Sequence, residues 1–143
     1  MTCVFCEIVA GNAPASVIYQ DAWLMAFMAL RPTAPGECLI IPKAHVDHFT
    51  DLDDEMSRRI MSVAQRIGRR LRDTFKPLRV GMVVHGFGVS HAHFILVPQH
   101  GPYHITSDRF ASIRDGGIVF SESGIPVAER AVLDEHARRL SIE

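Results

Sequence analysis

Between residues 53 and 75, Met56, Ile60, Val63, Ile67 and Leu71 recur at steps of four, three, four and four. That spacing places all five on one face of an α-helix, and the rest of the chain must supply an apolar surface for that face to cover. Asp51, Asp53, Asp54 and Glu55 crowd the start of the segment, where the helix dipole favours anions, and Pro77 ends it. Arg58, Arg59, Arg66, Arg69, Arg70 and Arg72 fall mostly off the apolar face and read as a solvated face rather than a nucleic-acid patch. The formal net charge is −1, from 15 basic and 16 acidic residues. With so little net charge, neither nucleic acid nor an anionic membrane is an expected partner, and any phosphate binding must be local.

The surface that the helix needs is supplied by short β-favouring runs. Ser16 to Gln20 and Trp23 to Leu30, separated by Asp21-Ala22, read as a hairpin. Arg31-Pro32-Thr33-Ala34-Pro35-Gly36 reads as a loop, and Cys38 to Ile41 as a third strand stopped by Pro42. Val80 to Val84 forms a fourth strand, and Val89 to Val97 a fifth, closed by Pro98. Residues 3–10 suit a turn or two of helix ending at Gly11. Residues 99–124 read as loops with one short strand near Gly117 to Phe120. Pro126 is expected to open a C-terminal helix with Val127, Ala131 and Leu133 on its apolar side. Trp23, Phe27 and Cys38 read as core residues. Too few helices separate the strands for parallel crossovers, so the expected class is α+β, with a five-stranded antiparallel sheet, one long helix and a C-terminal helix. The 143 residues fit a single domain over 1–143. The chain has no apolar run of about 20 residues, no signal-peptide pattern at its start, and three cysteines that make a poor disulfide framework. A reducing cytoplasm is the expected compartment.

Eight histidines in this length stand out, and two of them form His91-Ala92-His93 inside the expected fifth strand. Strand residues two apart share a face, about 6–7 Å apart. Such a pair is a set of satisfied polar side chains, a metal site or a catalytic pair. The preceding Gly86-Phe87-Gly88 lets backbone amides approach an anion. Cys3-x-x-Cys6 is a zinc half-site, a redox pair or two packing thiols. A four-coordinate site needs two further ligands, for which His45, His48, His85 and His91 are candidates. His100 and His104, beyond Pro98, read as exposed loop histidines.

Taken in order, these segments resemble the histidine-triad (HIT) family of nucleotide hydrolases and transferases. The resemblance runs from about residue 3 to residue 98. It covers Cys3-x-x-Cys6-x-Ile8-Val9-x-Gly11, Arg31-Pro32-x-Ala34-Pro35-Gly36, Leu39-Ile40-Ile41-Pro42-Lys43-x-His45 and the acidic-led helix. It closes with Gly88-Val89-x-His91-x-His93-x-Ile95-x-Val97-Pro98. It implies a homodimer that joins two sheets; residues 99–143, beyond the resemblance, are expected to form an extension packed on the same domain. By the same resemblance, His93 is the nucleophile that attacks the α-phosphorus of a nucleotide, giving a nucleotidyl-histidine. Neutral imidazole suits that role, and a covalent intermediate divides one hard displacement into two easier ones. Zinc-bearing relatives imply a structural zinc held by Cys3, Cys6, His45 and His91. Gly86, Phe87 and Gly88 would face phosphate, and Phe5, Ile8 and Phe27 would lie by the base.

Four departures from the family pattern bear on substrate. The third triad histidine is Ile95, the histidine after Gly36 is Glu37, the ribose-gripping acid is Ala29, and the phosphate loop is shortened to Gly86-Phe87-Gly88. The expected function is hydrolysis or transfer at the α-phosphate of a dinucleoside polyphosphate or nucleoside phosphoramidate. The alternative is a zinc-stabilised relative that binds a nucleotide or a protein partner without turnover.

Overall fold

The computed structural model describes residues 2–102, 104–105 and 111–143. The long helix is α2 (Asp54–Phe75), following α1 (Val4–Ala10) and three strands, β1 (Val17–Gln20), β2 (Leu24–Met28) and β3 (Cys38–Pro42). Asp53 caps α2 by accepting from the Met56 amide at 2.7 Å, and Lys76 ends it in the left-handed region. β4 (Arg79–Val83) and β5 (Phe94–Gln99) complete a wholly antiparallel sheet in the order β1-β2-β3-β5-β4. A separate hairpin, β6 (Ala111–Arg114) and β7 (Gly117–Phe120), precedes α3 (Arg130–Leu140).

Register sorts the side chains. Leu24, Ala26 and Met28 of β2, with Cys38 and Ile40 of β3 and Leu96 of β5, face α2 and α3. They close around Ile60, Val63, Ile67 and Leu71 of α2, and Leu133, Ala137 and Leu140 of α3. The opposite face carries Met25, Phe27 and Ile41 beneath Phe5 of α1. Along that face Leu39 pairs with Ile95, and Ile95 with Val83. Gly36 brings the loop before β3 hard against α2: at its φ of 98°, an added Cβ would lie 2.8 Å from Leu71 and from Phe75.

Four sequence expectations need correction. β5 begins at Phe94, so His91 and His93 precede the strand instead of lying within it. Their backbone bonds go elsewhere: the His91 amide turns back to the Val89 carbonyl, and the Ala92 amide reaches the Val46 carbonyl. At the other end β5 runs through Pro98. Gln99 offers its carbonyl to the Leu78 amide beside β4, so strand alternation turns the Pro98 nitrogen towards β3. Since β3 stops pairing at Leu96, no ladder bond is lost there. Trp23 lies outside the core, 48% exposed, with the Arg59 guanidinium 3.9 Å above its ring, while Phe27 and Cys38 are buried. Finally, α3 opens at Arg130 rather than Pro126. Val127 and Ala131 stay exposed, and the buried face is Leu133, Ala137 and Leu140. In the region expected to be mostly loop, β6 gives the Gly117 to Phe120 strand a partner; residues 106–110 lie outside the described ones.

Candidate active site and metal centre

Four donors from three parts of the chain meet at one end of the neighbouring strands β3 and β5. Cys3 caps α1 and Cys6 lies in its first turn, His45 follows β3, and His91 precedes β5. Their ligand atoms lie within 4.8 Å of one another. Zinc bonded to thiolate at about 2.3 Å and to imidazole at about 2.0–2.1 Å sets tetrahedral sulfur–nitrogen edges of about 3.6 Å. Here Cys6 Sγ is 3.3 Å from His45 Nδ1, and His91 Nδ1 is 3.5 Å from Cys3 Sγ and 3.7 Å from Cys6 Sγ. His91 is fully buried, and its Nε2–H donates to the Pro42 carbonyl at 2.8 Å. That bond fixes the tautomer with the lone pair on Nδ1, the atom facing the sulfurs. Burial holds the His91 pKa below the usual histidine value, which keeps the ring neutral and ready to ligate. Two cysteine sulfurs and two imidazole nitrogens at these separations fit a closed zinc site. The other two candidate ligands, His48 and His85, lie outside the cluster.

His93 sits two residues from this corner and turns to different surroundings. It is buried (8% exposed), and its Nδ1–H donates to the His91 carbonyl at 2.7 Å. The lone pair is therefore on Nε2. Its ring meets Phe5 edge-on at 5.4 Å between centroids and His85 at 6.3 Å. The expectation that His91 and His93 share a face holds in one respect, since both rings pack edge-on to Phe5. His93 lines a cavity of about 940 Å³ over the sheet face opposite α2.

Of the expected nucleotide contacts, Phe5, Phe87 and Gly88 line this cavity. Gly86 lines a smaller adjoining one of about 190 Å³, with Asp47, His48 and His85. Gly86 and Gly88 both adopt positive φ, 73° and 95°, and the space beside each is open, as an anion loop requires. Ile8 and Phe27 do not line the cavity. Both pack in the cluster beneath it, where Phe27 meets the Phe5 ring edge-on at 5.5 Å. The three substituted positions Ile95, Glu37 and Ala29 all line it. Glu37 is buried and accepts from the Thr33 amide at 2.9 Å and from the Thr33 hydroxyl. The cavity therefore has an aliphatic floor of Leu39, Ile95 and Val97, with a carboxyl group at its far end.

Several lining residues were not among the expected nucleotide contacts. His85 and Arg31 come from loops, and Ile105, Phe120 and Ser121 from the segment after the sheet. The Arg31 guanidinium is anchored on the Ile125 carbonyl at 2.6 Å. The hairpin that delivers Phe120 did carry a local signal. Asp115-Gly116 between β6 and β7 takes positive φ at both positions, as a tight two-residue hairpin turn demands. His104, expected on an exposed loop, is half-buried. Its Nε2–H donates to the Thr33 carbonyl at 3.2 Å, bracing the wall that holds Glu37. Neither His100 nor His104 lines the cavity.

Comparison with known proteins agrees with this architecture. The HIT domain model matches residues 10–101. The protein hit of Bacillus subtilis is 30% identical over 104 residues, which span 69% of this chain and 72% of that protein. An adenosine 5'-monophosphoramidase of Saccharomyces cerevisiae is 33% identical over 98 residues, 68% of this chain and 62% of the yeast protein. Among solved structures, a zinc-bound histidine triad family protein from Mycobacterium smegmatis superposes with a TM-score of 0.70 at 29% identity. The match covers 98% of this chain and 91% of that one.

Proposed function

The chain belongs to the HIT domain family, and from that premise we propose that it hydrolyses nucleoside phosphoramidates, or transfers their nucleotidyl group, through a covalent nucleotidyl-histidine on His93. The observation that carries this reading is the pairing of His93 Nδ1–H with the His91 carbonyl on the wall of the 940 Å³ cavity. With Nδ1 protonated, the Nε2 lone pair attacks the α-phosphorus, and the carbonyl takes up part of the positive charge that grows on the ring. Water then displaces the nucleotide from His93. The phosphoramidate class is supported by the yeast relative's name; dinucleoside polyphosphates are the other class in this reading. Gly86, Phe87 and Gly88 face the phosphate, and Phe5 packs against the base or the nucleophile.

Zinc, held by Cys3, Cys6, His45 and His91, is structural in this reading: four protein ligands close it, and it ties α1 and the loop after β3 to the segment that carries His93. The protein acts in a reducing cytoplasm that keeps both thiols free for metal, and as a pair of like copies. A binding role without turnover is favoured by one observation. The aliphatic Ile95 on the cavity floor offers no polar atom to phosphate or leaving group.

Adenosine 5'-monophosphoramidate tests the choice. Release of ammonia and adenosine monophosphate, abolished in His93→Asn, is the expected result. Tight nucleotide binding with no turnover above background would favour the binding role.

A further inference from the structure

We propose that His85 is the general acid that protonates the departing amine, a task for which Ile95 and Val97, the β5 side chains on the cavity face, offer no proton. This rests on the reading of His93 as nucleophile and adds a second catalytic residue to it.

The register of the sheet carries the inference. Val83 of β4 pairs with Ile95 of β5. Continued two residues beyond the ladder, the same antiparallel register sets His85 across from His93, with both side chains on the cavity face. The rings meet edge to face, 6.3 Å between centroids, and both line the cavity. Both rings therefore border the same part of the cavity, where His93 and His85 can address one bound phosphoramidate.

The other polar side chains of the cavity are less suited. Arg31 cannot give up a proton at neutral pH, and its guanidinium is held by the Ile125 carbonyl. Glu37 is engaged by Thr33. One residue before the Cys38–Leu96 pair, it faces Val97 and lies about 13 Å along the sheet from His93, at about 3.3 Å per residue. His85, by contrast, is exposed and follows the end of β4. It leads into Gly86 and Gly88, where the space beside each residue is open. Its ring can therefore follow a leaving group and exchange protons with solvent.

The step balances as follows. The Nε2 lone pair of His93 forms a bond to the α-phosphorus, and the phosphorus–nitrogen bond of the substrate breaks. Its electron pair stays on the departing nitrogen, which takes a proton from the His85 imidazolium and leaves as the amine. In the second half, a water oxygen forms a bond to the phosphorus and neutral His85 accepts a proton from that water. The phosphorus–Nε2 bond breaks, returning the lone pair to His93 and releasing the nucleoside monophosphate.

Leaving-group dependence tests this on the full-length, metal-loaded protein. The probes are an alkylamine phosphoramidate of adenosine monophosphate, which needs a proton, and its 4-nitrophenyl ester, which departs as a stable anion. His85→Ala and His85→Asn are each expected to lose about a hundredfold or more on the amine substrate and less than about fivefold on the ester. Asn keeps a hydrogen-bond donor without a transferable proton, so its failure to rescue separates acid catalysis from phosphate positioning. Equal losses on the two substrates, full activity of either variant on the amine, or rescue by Asn would each overturn the assignment, provided that the unmodified protein turns over both and His93→Asn does not. Absence of turnover in the unmodified protein, or persistence in His93→Asn, would overturn the nucleophile reading and this proposal with it. Unchanged metal content in both His85 variants excludes misfolding as the cause.

Discussion

His91 and His93 are two residues apart, yet they serve regions of different chemical make-up. On the His91 side every donor of a four-ligand metal site is in place, at separations that a zinc tetrahedron sets. On the His93 side Ile95, Glu37 and Ala29 line the cavity, where the family resemblance implies a histidine, a histidine and an acid. The contrast follows from how the two regions work. Loss of one ligand from a closed four-donor site leaves the metal unsatisfied and the fold unclamped, so the set stands or falls together. Cavity contacts act one by one on substrate, and each can be exchanged while the sheet beneath keeps its packing.

The sharpest break between the regions is His93→Asn. Turnover is expected to fall by more than about a thousandfold, the scale of losing a covalent nucleophile. Metal content measured on the same sample should be unchanged. Loss of metal together with activity would mean that the two regions are one.

Cys3→Ser should do the reverse first and the same second. Metal stoichiometry, measured by elemental analysis after preparation without chelator, is expected to fall from about one per chain to near zero. Unfolding free energy should drop by about 3 kcal/mol or more, read from denaturant midpoints. His91→Asn should behave alike, with the added cost of leaving the Pro42 carbonyl without its partner. A metal-free variant as stable as the parent would contradict a structural role.

Ile95→His restores a polar group to the aliphatic floor. Phosphoramidate hydrolysis is expected to rise by about tenfold, since a single transition-state contact is worth that much or more. No change would show that the chain has moved its polar function elsewhere on the cavity wall. Phe120→Ala is the mildest probe: it trims one wall residue from an exposed hairpin and should raise KM a fewfold with kcat and melting temperature unaltered.

How much of this was legible in the sequence differs between the same two regions. The five apolar residues of α2 and the prolines and glycines between strands announced the sheet and its helix, because burial on one face imposes a period. The metal corner was also legible, through Cys3-x-x-Cys6 and the family likeness that chose His45 over its neighbour His48. Around His93 the signal weakened. The run from Val89 to Val97, closed by Pro98, looks like a strand, but the amides of His91 and Ala92 bond to Val89 and Val46, a choice that depends on tertiary contacts. Both strands of the β6–β7 hairpin are exposed, so no alternation marks them, and only Asp115-Gly116 betrayed the turn. His85 carried no motif of its own; only the register across β4 and β5 brings it opposite His93.

Rapid mixing of the metal-loaded protein with adenosine 5'-monophosphoramidate, followed by quenching and mass spectrometry of the peptides, tests the central claim most directly. An adenylyl group on the peptide bearing His93, formed at the rate of ammonia release and absent from His93→Asn, is the predicted result. Ammonia release with no adduct at any quench time, or an adduct on another residue, would contradict it.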